Sequence, residues 1–192
     1  MPMPPHMKRV RLKKIALLLE SEVFVETGTY RGDTTNLVSR VVNDVKTIEI
    51  DSRLAAIAQK RFAGKNVRVY QGNSAKVIPE VAKEIKGARS LFWLDGHYSA
   101  GVTGGQSAPI PILQELEVVL PTLVSRSAVL IDDVREFGKN GYPHVSELQN
   151  FVTLKRSDLS CRVLDDMLLI AEVDTAQKVV STFGAKARAM TI

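Results

Sequence analysis

Apolar, β-branched segments alternate with amphipathic ones along most of this chain, and that alternation limits what it can fold into. Val23-Phe-Val-Glu-Thr-Gly reads as a strand ending on glycine, residues 34–42 have helical spacing, Val45-Lys-Thr-Ile-Glu-Ile-Asp is a second strand and 54–62 a second helix. Val67-Arg-Val-Tyr-Gln-Gly is a third strand. A helical stretch over 74–85 follows, in which Pro79 predicts a short first turn and then a restart. Leu91-Phe-Trp-Leu-Asp, a helix over about 111–123, Ala128-Val-Leu-Ile-Asp-Asp and a helix over 145–152 continue the pattern. Cys161-Arg-Val-Leu and Met167-Leu-Leu-Ile-Ala flank Asp165-Asp166, which predicts a hairpin. Strands separated by helices must run parallel, because the helix carries the chain back to the starting edge. The expected fold class is therefore α/β: a doubly wound, Rossmann-like, mostly parallel sheet of about seven strands with helices on both faces.

A length of 192 residues is room for one domain of ordinary size, expected over 21–173. Residues 1–6, Met-Pro-Met-Pro-Pro-His, predict a loose N-terminus, and 174–192 a tail or a short helix. Between the loose start and the domain, an amphipathic helix is expected over about 8–20, with Leu12, Ile15, Ala16 and Leu19 on one face and Arg9 and Lys13 off it. The 45% hydrophobic and 24% charged composition excludes a disordered chain. Net charge is +5, but Lys8, Arg9, Arg11, Lys13 and Lys14 all precede residue 15, and the rest of the chain balances 21 bases against 21 acids. The basic character is thus one short cluster, read here as a solvated helix face, and it argues weakly for nucleic acid. No apolar run reaches the ~20 residues of a membrane span, and Glu20 and Glu22 interrupt the only stretch that resembles a signal peptide. With the lone Cys161, this points to a cytoplasmic chain.

In doubly wound sheets, ligands bind beyond the carboxyl ends of the strands. Here those ends carry Glu26/Gly28, Glu49/Asp51, Gly72/Asn73/Ser74, Asp95/His97 and Asp132/Asp133. Gly28 and Gly32 let the backbone turn tightly at the first βα connection, ahead of a helix whose free N–H groups suit an anion. Glu49, 21 residues after Gly28, is placed to accept hydrogen bonds from ribose hydroxyls. Asp95, Asp132 and Asp133 end neighbouring strands. Three carboxylates there would repel one another without a cation or protons, and all-oxygen ligation suits Mg²⁺, Mn²⁺ or Ca²⁺. The plainer alternative is that Asp132 or Asp133 caps a helix or pairs with Arg135.

Glu26-x-Gly-x-x-x-Gly-x-Thr34, Thr47-Ile-Glu-Ile, Gly72-Asn-Ser74 with Ile78-Pro79, Leu94-Asp95 and Ile131-Asp-Asp133 together resemble class I S-adenosylmethionine-dependent methyltransferases, and most of all the metal-dependent catechol O-methyltransferase-like group. The resemblance spans about 22–134. It implies that Glu26, Gly28 and Thr34 hold the methionine part of the cofactor, that Gly32 shapes the turn, that Glu49 binds the ribose, and that Asn73 and Ser74 border the adenine. It also implies a divalent cation, Mg²⁺ or a similar hard ion, at Asp95, Asp132 and Asp133, and a small hydroxylated acceptor. The lysine that serves the catechol enzymes as base is missing after Asp95. His97 is the natural substitute as base, or else a metal ligand, and Tyr98 is a weaker candidate. His144 follows Pro143 near the fifth strand end. The loop 99–107, with three glycines, could act as a lid. The short N-terminal extension leaves the acceptor side open or completed by a second subunit, which points to a homodimer. The Asn/Asp-Pro-Pro-Tyr signature of nucleic-acid amine methylation is absent. Two competing readings are an NAD-dependent oxidoreductase on the same fold and a non-catalytic binding protein that docks through its basic N-terminal helix.

Overall fold

Seven strands form one sheet in the order β3-β2-β1-β4-β5-β7-β6, with β1 Val23–Thr27, β2 Asp44–Glu49, β3 Val67–Gln71, β4 Ser90–Leu94, β5 Ala128–Ile131, β6 Leu159–Leu164 and β7 Met167–Glu172. The computed structural model describes residues 3–95, 111–139 and 141–184. The first five strands pair in parallel; β7 runs antiparallel to both β5 and β6. The predicted hairpin at Asp165-Asp166 closes as β6–β7, with Asp165 in the left-handed region (φ 56°). The order reverses between β1 and β4, so the switch point lies between the ends of those two strands.

Strands β1, β4 and β5 are buried along their whole length, as the continuous apolar runs required. One face packs Val25, Ile48, Phe92, Leu94 and Ile131 against the helices α4 Ser74–Glu84, α5 Ile112–Val119 and α6 Val145–Lys155. The other packs Phe24, Val45, Trp93 and Leu130 against α1 Pro5–Leu19, α2 Asp33–Val38 and α7 Val173–Phe183. The remaining helix, α3 Ser52–Phe62, has Asp51 as its N-cap, whose carboxylate accepts from the backbone N–H groups of Arg53 and Leu54.

Two expectations change at the helix level, and one open alternative is decided. Helix α1 begins at Pro5, inside the stretch read as loose, because proline at the first helical position has a compatible φ and lacks an N–H that would go unpaired there anyway. Its Leu12, Ile15 and Leu19 are 0–1% exposed. Burying a side chain of this size contributes roughly 1.5–3 kcal/mol, so the helix is part of the core rather than an appendage. Helix α4 is continuous through Pro79, whose ring costs one backbone hydrogen bond but no break. Of the stretch read as a tail or a short helix, the described part forms α7 Val173–Phe183, whose Ala176 and Val179 are buried. Among the described residues, no helix is long and apolar enough to cross a membrane.

Candidate active site

The first turn is built from left-handed backbone. Gly28 (φ 84°), Tyr30 (φ 49°) and Gly32 (φ 69°) turn the chain from β1 into α2. At Gly32 a Cβ would stand 2.8 Å from the Phe62 ring, closer than atoms pack, so this position demands glycine twice over. The turn is tied to the second strand: the N–H groups of Gly28 and Thr29 donate to the Ile48 carbonyl at 2.9 and 3.3 Å. Glu49 completes the tie. One of its oxygens accepts from the Tyr30 N–H at 2.7 Å and the other from the Asp51 N–H at 2.9 Å. Each oxygen keeps a further lone pair for a hydroxyl donor.

Glu26 lies underneath this turn, 1% exposed, and accepts from the hydroxyls of Thr35 and Thr47. Burial pushes its pKa up to about 7, against the opposing pull of hydrogen bonds from Thr35, Thr47 and Thr34. Its first role in this geometry is to hold α2 and β2 against the end of β1. Asn73 caps α4 by accepting from the Ala75 N–H at 3.0 Å, which places Ser74 in the first turn of that helix.

Asp95, at the end of β4, donates its backbone N–H to the Thr27 carbonyl at 3.2 Å, and Asp132, at the end of β5, donates its own to Leu94 at 3.1 Å. These bonds bring the ends of three strands side by side. Burial, and the carboxylates of Asp132, Glu26 and Asp133, push the Asp95 carboxyl well above the usual range. Asp133 adopts the left-handed region (φ 58°), and Asp132 accepts its N–H at 2.7 Å.

Two residues that the sequence reading did not single out enter here. Asp166, read only as part of the hairpin, joins Asp132 and Asp133 in a triad whose oxygens lie within 4.8 Å of one another. Asp95 is not part of that triad. Lys8, read as one of a solvated row, is 7% exposed, and its ammonium donates to Asp132, to Asp133 at 3.0 Å and to Asp166 at 3.3 Å. Burial by itself would lower the Lys8 pKa, but Asp132 and Asp133 outweigh it and hold it above its ordinary value. Arg135 pairs with Asp133 at 2.7 Å and also with Asp166, as the alternative for Asp133 anticipated. The neighbouring cations of α1 are spent in the same way, Arg9 on Asp33 at 3.4 Å and Arg11 on Asp165 at 2.8 Å. The basic cluster is thus largely an internal counter-charge, correcting its reading as a solvated face. Helical spacing separates Lys8 from Lys13, since Lys8 continues the Leu12, Ile15, Ala16 and Leu19 face one turn earlier while Lys13 lies off it; which acids Lys8 meets is set by the fold.

Glu115 on α5 is a third unexpected member. Its side chain is 1% exposed, its pKa is pushed up to about 7 by burial, and Ser74 and Thr27 hydrogen bonds oppose the shift. One of its oxygens has no hydrogen-bond partner among the described residues. His144 sits at the N-cap of α6, its ring packed over Gly138. Tyr142, close enough to feel Asp133 and Asp95, has its hydroxyl pKa raised by burial and by those carboxylates, and stays neutral. His97, Tyr98 and the loop 99–107 lie outside the described residues.

Residues 25–134 match the family model described as "Methyltransferase domain". That stretch runs from β1 to the last carboxylate at the end of β5 and covers more than half of the chain. The chain belongs to that methyltransferase family. Its fold is that of the class I S-adenosylmethionine-dependent methyltransferases. The O-methyltransferase TomG of Streptomyces achromogenes, solved with S-adenosylmethionine, superposes with a TM-score of 0.65 at 17% identity, over 88% of this methyltransferase and 81% of that chain. An O-methyltransferase from Bacillus cereus, solved with S-adenosylhomocysteine, superposes with a TM-score of 0.64 at 17% identity, over 88% and 80% of the two chains. A curated relative from Pyrococcus abyssi, named "Probable ribosomal RNA small subunit methyltransferase A", is 33% identical over 64 residues. That match takes in 33% of this methyltransferase and only 24% of the relative's length.

Proposed function

We propose that this methyltransferase moves the methyl group of S-adenosylmethionine onto a hydroxyl oxygen of a small acceptor. The sulfonium–methyl bond breaks, a carbon–oxygen bond forms, and the hydroxyl proton leaves, giving S-adenosylhomocysteine and a methyl ether. The observation that carries this is Glu49, buried at the end of β2 with both oxygens held by the amides of Tyr30 and Asp51 beside the Gly28–Gly32 turn. In this reading Glu49 takes the ribose hydroxyls, and Asn73 and Ser74 border the adenine, with Ile50, 46% exposed, as an apolar surface for the flat base. Gly28, Gly32 and Thr34 receive the methionine part, with Glu26 buttressing them and Asp95 at the far wall. His97 accepts the acceptor's proton. The proposal includes a cytoplasmic setting, in which Cys161 stays reduced, and a homodimer that completes the acceptor side.

The three carboxylates of the triad have the chemistry of a hard-cation site. They fit Mg²⁺ poorly as folded, because Lys8 reaches all three. An RNA acceptor is suggested by the ribosomal relative, but the cations Lys8, Arg9 and Arg11 that would face a phosphate backbone are spent on Asp132, Asp33 and Asp165. That favours the small acceptor.

Calorimetric titration with S-adenosylmethionine tests the cofactor. Saturable micromolar binding is expected; a folded chain that binds neither it nor S-adenosylhomocysteine overturns the reading. Transfer of a labelled methyl group to catechols and hydroxycinnamates, compared with ribosomal RNA, then separates the acceptor classes.

A further inference from the structure

Lys8 stands where a divalent cation would have to stand. Its ammonium is within hydrogen-bond distance of one oxygen from each of Asp132, Asp133 and Asp166, the three carboxylates whose oxygens converge within 4.8 Å. A Mg²⁺ or Mn²⁺ drawing on the same oxygens needs metal–oxygen distances of about 2.1 Å, which puts it in the volume the ammonium fills. The two cannot share it, because an ion bound to those oxygens would overlap the ammonium that already contacts them.

Lys8 is also delivered there by the core. It lies one helical turn before Leu12, and Leu12, Ile15, Ala16 and Leu19 seat α1 on the sheet at 0–2% exposure. Arg11, on the same helix, is pinned by Asp165 and by the Phe183 carbonyl at 3.1 Å, so α1 is held to both the β6–β7 turn and the end of α7. Withdrawing Lys8 would mean either undocking that helix or swinging a buried ammonium into water. Arg135 supplies a second fixed positive charge on Asp133 and Asp166. Three carboxylates therefore already meet two cations from the chain itself.

We infer that Lys8 is a built-in substitute for the divalent cation at this carboxyl edge, so that the site takes up no metal while α1 is docked. The location of the edge beside the methyl-transfer centre rests on the function proposed above; the occupancy of the triad does not.

The full-length chain, stripped with EDTA and exchanged into buffer, is titrated with MnCl₂ by calorimetry, and its melting midpoint is followed with and without Mn²⁺. The wild type is expected to show no saturable Mn²⁺ binding and no Mn²⁺-dependent rise in midpoint. Lys8→Ala is expected to gain a one-to-one site, at least about tenfold tighter than anything in the wild type, and to be stabilised by Mn²⁺. Lys8→Gln, which keeps a hydrogen-bonding side chain without the charge, serves if the alanine variant does not fold. Micromolar one-to-one Mn²⁺ binding to the wild type that is lost in Asp132→Asn overturns the inference. A folded Lys8 variant that binds Mn²⁺ no better than the wild type overturns it too. S-adenosylmethionine titrated into the same wild-type sample reads the proposed function separately. Asp132-dependent Mn²⁺ binding together with S-adenosylmethionine binding sinks this inference alone, and binding of neither ligand sinks only the methyl-transfer reading.

Discussion

Lys8 and Asp132, 124 residues apart in the chain, form a buried ion pair that ties the first helix to the end of the fifth strand. Asp132 is 6% exposed, and its carboxyl is pushed up to about 6, first by burial, with Lys8 opposing the shift. Removing one partner of a buried pair leaves the other charge uncompensated. We expect Lys8→Met to lose about 2–4 kcal/mol of stability at pH 8. The loss should shrink at pH 5, where Asp132 can neutralise itself by taking a proton. Urea midpoints at the two pH values measure this, and an unchanged midpoint at pH 8 would show that the pair does no stabilising.

Gly32 bears on both the turn and the cofactor. Its φ of 69° and the 2.8 Å approach that a Cβ would make to Phe62 act together. Gly32→Ala should cost about 1–3 kcal/mol in stability, from backbone strain and displacement of a buried ring. Because the distortion falls on the Gly28–Gly32 turn, affinity for S-adenosylmethionine should fall by roughly tenfold or more. Gly64→Ala is the control: it shares a positive φ (73°), but nothing lies within 4 Å of its Cβ. It should lose some stability and leave the affinity unchanged. Equal affinities for the two variants would contradict the role given to the first turn.

Glu49 joins two backbone amides from different segments, so its charge does structural and binding work together. Glu49→Gln offers a single carbonyl oxygen and an amide that faces a donor. It should weaken S-adenosylmethionine binding by about ten- to a hundredfold, since charge-assisted hydrogen bonds are worth roughly 1.5–3 kcal/mol. Calorimetry on the folded variant decides it; an affinity within twofold of wild type would remove Glu49 from the site.

Glu115 gives the stability a pH dependence with a definite sign. Its folded pKa, about 7, lies above the unfolded value of 4.5, so the folded chain holds a proton that the unfolded chain releases. This contribution favours folding below pH 4.5 and is lost as pH rises from 4.5 to about 7; above that the buried charge is a constant penalty. Glu26 contributes in the same direction over the same window. Glu115→Gln keeps the shape without the charge. It should be more stable than wild type by about 2–3 kcal/mol at pH 8 and nearly equal to it at pH 4.5. Urea midpoints of both proteins across that range check it, and parallel curves would refute it.

Much of the site was legible because its signals are local. The end of each parallel strand is written within two or three residues: Gly28 after β1, Glu49 closing β2, Asn73 before α4, Asp95 after β4, Asp132 and Asp133 after β5. A doubly wound topology then brings those ends to one edge. Pro79 misled because the burial of Ile78 and Val81 offsets the roughly 3 kcal/mol that a proline costs inside a helix. Asp166 escaped notice because a turn aspartate usually needs no explanation beyond the turn.

The sequence by itself determined the alternating elements, the parallel sheet and the residues at its carboxyl edge, because hydrophobic period, turn chemistry and cap residues act over a few positions. Only the tertiary structure decided which cation meets which acid. Lys8, Arg9, Arg11 and Lys13 follow one another within about a turn and a half of one helix, yet only Lys8 sits where the docking of Leu12, Ile15 and Leu19 aims a side chain at Asp132, Asp133 and Asp166. That choice depends on how one helix lies across a finished sheet, and no local pattern encodes the angle.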